Sequence, residues 1–429
     1  MLRNHPFAMS ESLLERALRT IPLGTQTFSK SRTQLPVGAA PLYGMRAQGS
    51  KLEDADGNQY LDFVNGLLAI SLGYSDPDVD TAVRAQLDDG VLFSLPHPVE
   101  IDVAESICEM VPCAEMLRFG KNGSDATAGA IRLARAFTGR DHVAVCGYHG
   151  WQDWYIGSTS RDLGVPKTVG ELTHGFAYND LDSLATIFHD HELAAVILEP
   201  MNVAYPAPGF LESLREMTAR HGTLLVFDET ITGFRFANGG AQELFGVTPD
   251  LATFGKGLAN GYPLSAVTGR GDIMKLFEDV FFSFTMGGET LSLAAAKAVL
   301  NKLERESVVN HLRVQGEKVL TGVSTLIKRH EVGDFLSVSG HPAWSFLNMT
   351  GAGKYTVWQV RTLFLQEMFS RGVLTLGSHN MSFAHSDDDI TYLLDTYDAV
   401  FPVLHNAIHD GTLEAQLRCD TLQPLFKVR

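Results

Sequence analysis

Four apolar runs of strand length recur along the middle of the chain: HVAVCGY (142–148), LAAVILEP (193–200), GTLLVFDE (222–229) and LATFGK (251–256). Each is apolar at successive rather than alternate positions, as expected of a strand buried on both faces. Between them lie amphipathic stretches that predict helices, GSDATAGAIRLARAFTG (123–139) and GFLESLREMTARHG (209–222). Strand and helix in alternation predict βαβ units around a mostly parallel sheet, an α/β fold with helices on both faces. This large domain is expected over 75–310. The segment 1–74 carries short turn-rich strands, with DADGN (54–58) as a hairpin signal. From 311 to 429 helices alternate with short strands around LSVSGHPAWSFLNM (336–349). The two terminal segments are expected to build a smaller α+β domain together.

Composition narrows the possibilities. A chain of 429 residues is long enough for one large domain and a smaller one. Although 45% of it is hydrophobic, no apolar stretch approaches the ~20 residues of a membrane helix, so no membrane partner is expected. MLRNHPFAMSESLLERALRT offers no sustained apolar run with a small-residue cleavage site, and no signal peptide is expected. A net charge of −16 argues against nucleic acid and anionic membrane surfaces as partners. Cys108, Cys113, Cys146 and Cys419 form no CxxC pair, which predicts neither a disulfide framework nor a structural zinc site. The cytoplasm is the expected location. HDH at 189–191 has ligand-like spacing, but its polar, helix-ending context reads as a solvated turn, and no metal is expected.

In an open α/β sheet, ligands bind beyond the carboxyl ends of the strands. The residues there are Tyr148, His149 and Gly150; Glu199 and Pro200; Asp228 and Glu229; and Lys256. Any one of them could be a cap or a turn residue. Jointly they are harder to dismiss, because a charge straight after a buried run is desolvated unless it is paired or used. The loop at Asn122, Gly123 and Ser124 enters a helix whose amides and dipole favour an anion, phosphate above all, although a simple helix cap reads equally well. Neither a Walker pattern nor GxGxxG is present. A phosphate cradle, an aromatic plate, a carboxylate and an amine are what pyridoxal 5′-phosphate requires.

At this point the chain resembles a known family, the class III, fold-type I aminotransferases, which includes glutamate-1-semialdehyde 2,1-aminomutase. The resemblance runs from about Leu23 to the last helix. YLDFVNGLLAISLGY, RFGKNGSDATAGAIRLARAFTGRD, YHGW, AAVILEP, LLVFDETITGFR, FGVTPDLATFGKGLANGYP and SFTMGGET carry it, in this order. It implies Lys256 as the Schiff-base lysine, its flanking glycines letting the chain pass close to the cofactor. It implies Asp228 at the pyridine nitrogen, Tyr148 on one ring face, and Thr230 and Ile231 against the other. Gly123 and Ser124 would bind the phosphate, and Thr285 would reach it from a neighbouring copy, which implies a homodimer with shared sites.

Departures from the family pattern fall on the substrate side. Lys30 stands where the aminomutase has a carboxylate-binding arginine, unless Arg32 takes that place. Leu67 replaces a pocket tryptophan. Gly377, Ser378, His379 and Asn380 replace a segment that carries an acid. Lys30, Leu67, His379 and Asn380 are therefore the candidate substrate residues. Retained chemistry with a changed substrate is expected: an aminotransferase moving an amino group from a donor to a ketone or aldehyde acceptor. A rim of hydroxyl and amide groups suits a sugar- or polyol-like carbonyl. The alternatives are an aminomutase moving the amine within one molecule and a cofactor-binding regulator without turnover.

Overall fold

The computed structural model describes residues 7–423; the first and last six residues of the expected terminal segments lie outside that range. The described chain divides into two compact units, one spanning Pro77–Val309 and the other combining residues 7–76 with residues 310–423. Strands in chain order are β1 (Gly44–Gln48), β2 (Lys51–Asp54), β3 (Gln59–Asp62), β4 (Met116–Gly120), β5 (His142–Cys146), β6 (Thr173–Gly175) and β7 (Leu193–Leu198). They continue with β8 (Leu224–Asp228), β9 (Leu251–Phe254), β10 (Ser265–Gly269), β11 (Leu336–His341), β12 (Trp344–Met349), β13 (Val373–Leu374) and β14 (Ser378–Asn380).

The Pro77–Val309 unit is built on a seven-stranded sheet in the order β4-β10-β9-β8-β7-β5-β6. Strands β9, β8, β7, β5 and β6 run parallel, while β10 is antiparallel to both β9 and β4. Successive residues of the strands feed opposite cores. Val143, Val145, Ala195, Ile197 and Val226 pack on one side with Ala126, Ala130, Ile131, Leu133 and Ala134 of the Gly123–Thr138 helix. Ala144, Val196, Leu198, Leu225 and Phe227 pack on the other with Leu184, Phe210, Leu211 and Leu214 of the Leu181–Asp190 and Phe210–Arg220 helices. Burial on both faces explains the unbroken apolar runs. Each fully buried Leu, Ile or Phe contributes about 1.5–3 kcal/mol to holding the layers together. This is the α/β architecture of a fold-type I transferase, a mostly parallel sheet flanked by helices.

The second unit holds two small sheets, β1-β2-β3-β13 and β11-β12-β14. β2 and β3 pair antiparallel across DADGN, and β11 and β12 form the hairpin in LSVSGHPAWSFLNM. Directly after β3 the chain makes a left-handed turn, with φ of 47° at Asn65, 57° at Gly66, 61° at Leu67 and 73° at Leu68. Left-handed backbone costs roughly 1–2 kcal/mol per non-glycine residue, so something must hold it. The Asn65 amide side chain donates to the Asn380 carbonyl, Asn380 Nδ2 donates to the Val64 carbonyl at 2.8 Å, and Asp62 Oδ1 accepts from the amides of Val64 and Asn65. Among the described residues, no helix is long and apolar enough to cross a membrane.

Candidate active site

The carboxyl ends of β5, β7, β8 and β9 carry the expected groups. Asp228 closes β8 and is 4% exposed. Its Oδ1 accepts from the Thr230 amide and the Thr253 hydroxyl, both at 3.1 Å, and its Oδ2 takes the His149 Nδ1 contact at 2.8 Å. Burial alone would raise the carboxyl pKa, but hydrogen bonding and charge from His149, with the hydrogen bond from the Thr230 amide, outweigh it and hold the group below the ordinary aspartate value. Asp228 is thus an ionised carboxylate out of water. His149 packs on it from the far side, its ring edge-on to Tyr155 and stacked near Trp154, and its Nε2 is buried without a protein partner among the described residues.

Lys256 leaves the neighbouring strand three residues beyond Thr253, which pairs with Asp228 across the sheet. Gly255 before it is fully extended, with φ of −177°. The unusual backbone is that of the lysine, at φ 42°, a region that costs a non-glycine residue about 1–3 kcal/mol and collects at functional sites. The flanking glycine matters through space. A Cβ on Gly255 would stand 3.3 Å from Thr230 Cγ2, and one on Gly123 would stand 3.1 Å from the same atom. Thr230 is therefore wedged between the lysine strand and the start of the Gly123–Thr138 helix, and its Oγ1 has no hydrogen-bond partner among the described residues.

The helix start is capped as its sequence allowed. Asn122 caps it by accepting from the Asp125 amide, and Asp125 Oδ2 accepts from the amides of Lys121 and Asn122. The amides of Gly123 and Ser124 lie in the first turn, where N–H groups have no partner within the helix. Ser124 Oγ accepts from the Trp151 amide at 3.2 Å, binding this turn to the YHGW loop.

Glu199 and Glu229 turn out to be anchors. Glu199 Oε2 accepts from the Tyr148 amide at 3.0 Å and from Asn202 at 2.7 Å. Gly147 makes room for it, at φ 113° and with the carboxylate 2.5 Å from where a Cβ would stand. Glu229 is fully buried, and its carboxylate accepts from Thr232, Gln242 and the amides of Ala241 and Gln242. Burial raises its pKa against those bonds. Tyr148 itself is 41% exposed, edge-on to Tyr155. Ile231 is half-buried, and Thr285 lies exposed in the 281–289 segment.

Lys30, Leu67, His379 and Asn380 belong to the other unit. Lys30 is exposed in a short 3-10 turn, and its charge lowers the pKa of Asp62, which burial raises. Leu67 is half-buried on the left-handed turn that Asn380 braces. His379 differs from the expectation of a pocket-edge residue. It is fully buried, with Nδ1 2.9 Å from the Ser345 hydroxyl and Nε2 2.8 Å from the Tyr397 hydroxyl, and burial lowers its pKa to about 4. With both ring nitrogens satisfied, it is a core histidine of this unit.

Sequence reasoning missed two groups at the site. Thr253 fixes Asp228 from within a strand read only as apolar. Ser265, at the start of β10, has a buried hydroxyl without a hydrogen-bond partner among the described residues and lies beside Gly120. SAVTG is too polar to register as a core strand, so no signal pointed there.

An ionised buried carboxylate, a strained lysine on the next strand, a helix start whose first-turn amides have no partner within the helix and two buried hydroxyls unpaired among the described residues match the needs of pyridoxal 5′-phosphate in one fold-type I unit. Residues 35–385 match the class-III aminotransferases, and the chain belongs to that family. It is 34% identical over 402 residues to 3-aminobutyryl-CoA aminotransferase of Cloacimonas acidaminovorans, covering 90% of this chain and 95% of that one. It is 35% identical over 425 residues to glutamate-1-semialdehyde 2,1-aminomutase of Syntrophobacter fumaroxidans, covering 91% and 97%. Among solved structures, it superposes on the FumI protein of Sphingopyxis sp. MTA144 in its pyridoxal-phosphate form with a TM-score of 0.86 and 29% identity, over 95% of this chain and 98% of that chain. An omega-transaminase from Sphaerobacter thermophilus gives a TM-score of 0.82 and 28% identity, over 92% and 98%. The protein is an enzyme of the transaminase class, and pyridoxal 5′-phosphate is its cofactor.

Proposed function

We propose that the protein moves an amino group between two separate small molecules, a donor amine and a carbonyl acceptor, in sites shared by two copies of the chain. The observation that carries this reading is the buried ionised Asp228 beside the strained Lys256, at the carboxyl ends of adjacent parallel strands. When bound, pyridoxal phosphate supplies an electron-withdrawing ring and a carbonyl carbon at which nitrogen is exchanged. Asp228 keeps a proton on the ring nitrogen, and His149 holds the carboxylate in place. Lys256 Nζ would hold the cofactor covalently and would be the amine placed to move a proton at the reacting carbon. Tyr148 covers one ring face, with Thr230 and Ile231 against the other. The amides of Gly123 and Ser124 bind the phosphate, and Thr285 of the partner subunit completes that cradle. Four free cysteines accord with a reducing cytoplasm, where we place the enzyme.

The substrate-side residues favour transfer between molecules over rearrangement within one. An aminomutase must keep its diamine from escaping between two half-reactions, which calls for a firm grip on the carboxylate. Lys30 is a compact ammonium without the bidentate fork of arginine, and losing such a pair weakens the grip by about 1–3 kcal/mol. The names of the relatives lend no support to a sugar- or polyol-like acceptor. 3-Aminobutyryl-CoA aminotransferase and an omega-transaminase point instead to nitrogen carried beyond the α-carbon, and we extend that substrate class to this chain. Incubation with glutamate-1-semialdehyde alone tests the reading: little 5-aminolevulinate is expected, with sustained turnover only when an external amino donor is added. Rapid stoichiometric conversion without a donor would establish the mutase instead.

A further inference from the structure

Well away from the Lys256 rim, three histidines converge on the other end of the sheet. His142 opens β5, His174 is the middle residue of β6, and His191 caps the Leu181–Asp190 helix just before β7. The sheet order sets β7, β5 and β6 side by side. His174 pairs with Ala144, and His142 lies two residues before Ala144, so both imidazoles project to the face that carries the Leu181–Asp190 helix, where Ala144 and Leu184 pack. His191 arrives on that face from the end of the helix. From His142 to Cys146 at the catalytic end of β5 is on the order of 13 Å at the usual rise per residue.

One ring nitrogen from each histidine lies within 4.8 Å of the other two. His142 Nδ1 and His174 Nε2 are 2.9 Å apart. The rings of His142 and His191 stack at 4.3 Å, and those of His174 and His191 at 4.2 Å. All three side chains are half-buried, which leaves a path for a small ion. We propose that His142, His174 and His191 form a binding site for one divalent transition-metal ion of the zinc class, with water in the fourth position. Imidazole suits zinc, copper and nickel, and three histidines plus water are a known zinc coordination set. With zinc–nitrogen bonds of about 2.0–2.1 Å, tetrahedral ligand nitrogens lie roughly 3.3–3.4 Å apart. The His142 and His174 nitrogens are 2.9 Å apart and that of His191 lies within 4.8 Å of both, so the ion would require the stacked His191 ring to turn until its lone pair meets theirs.

The chemistry of the unliganded cluster favours the metal. One proton is shared between His142 and His174; when the ion takes its place, the donor ring carries its proton on its other nitrogen, and no net proton is lost. The ion would clip β5, β6 and the end of the Leu181–Asp190 helix together. This departs from the sequence reading of HDH as a solvated turn, because His142 and His174 are distant from it in the chain.

The test is calorimetric titration of the cofactor-loaded enzyme with zinc chloride, after chelator treatment and in phosphate-free buffer, beside thermal melts with and without zinc. One equivalent per chain is expected, with a rise in Tm. H174N and H191Q should each weaken binding by at least roughly 10–100-fold, as much as removing an outer-shell partner costs a metal site, and should abolish the Tm shift. H409N, in the exposed His405–His409 stack, should leave both readouts unchanged. H191Q lies at a helix end and keeps the test open if H174N in the sheet fails to fold. Absence of saturable binding in the wild type, or wild-type affinity and stoichiometry in both H174N and H191Q, would overturn the site.

Discussion

Asp228 keeps its charge in the protein interior because His149 and Thr230 together outweigh the cost of desolvation. That arrangement has a sign. A carboxyl whose folded pKa is depressed contributes stability above its unfolded value, near 3.9, and the contribution is lost as pH falls through the lower folded value. In the cofactor-free protein, Asp228→Asn should therefore fold but unfold at lower urea concentration than wild type at neutral pH. The gap should close below about pH 4, where the carboxyl begins to protonate; a difference constant across that range would mean the charge contributes nothing. In the loaded enzyme the same change should remove most activity, since a charge-assisted hydrogen bond worth about 1.5–3 kcal/mol is lost together with the ring proton it holds. Lys256→Ala is a different case. It should still take up cofactor noncovalently while turnover falls by roughly 10²–10⁴ or more. Borohydride should fix the cofactor to Lys256 in wild type, and a label mapped by mass spectrometry to another lysine would refute the assignment.

At the scale of elements, legibility followed burial. β5, β7, β8 and β9 were visible because both faces are covered, which leaves runs that are mostly apolar, with Thr253 inside β9 as an exception. β6 is three residues long, and β4 and β10 mix apolar residues with arginine, serine, threonine and glycine, so no periodicity marks them. The left-handed turn at Asn65–Leu68 was also illegible, because a single glycine among four such residues gives no warning of its neighbours. Candidate residues followed the same division. Those at the ends of central strands were readable from position alone. His379 was not, because its partners Ser345 and Tyr397 come from elements far away in sequence. Packing between elements yields a further expectation. Gly316 of the Val308–Arg329 helix lies so close to the hairpin turn after β11 that a Cβ would stand 1.8 Å from the Pro342 carbonyl oxygen. Backbone cannot give way as a side-chain tip can. Gly316→Ala should destabilise by about 1–3 kcal/mol or more, read as a lowered Tm. A melt within a degree of wild type would show that the helix slides freely on the hairpin.

The whole molecule presents a surface that one chain leaves uncovered. Leu92, Phe93, Leu95, Phe281, Phe284 and Met286 are all exposed, and Pro96, His97, Phe282, Phe284 and Gly287 line one cleft. Apolar groups gathered in this way mark an interaction surface, and Thr285, the residue proposed to complete a phosphate site in a second copy, lies in their midst. If the sites are shared, each needs Lys256 from one chain and Thr285 from the other, and the two requirements can be separated by mixing. Thr285→Asp should abolish activity by setting a negative charge against the phosphate, and Lys256→Ala abolishes it for lack of the proton carrier. In a mixed dimer one site inherits both defects, while the other receives the intact lysine from the Thr285→Asp chain and the intact threonine from the Lys256→Ala chain. Random reassembly of equal amounts under a closed twofold symmetry makes half the dimers mixed, so roughly a quarter of wild-type activity should return. Unfolding and refolding the two inactive variants together, beside each refolded alone, provides the measurement. Activity that stays at the level of the separate variants, with dimers present by sedimentation, would place Thr285 outside the neighbouring site.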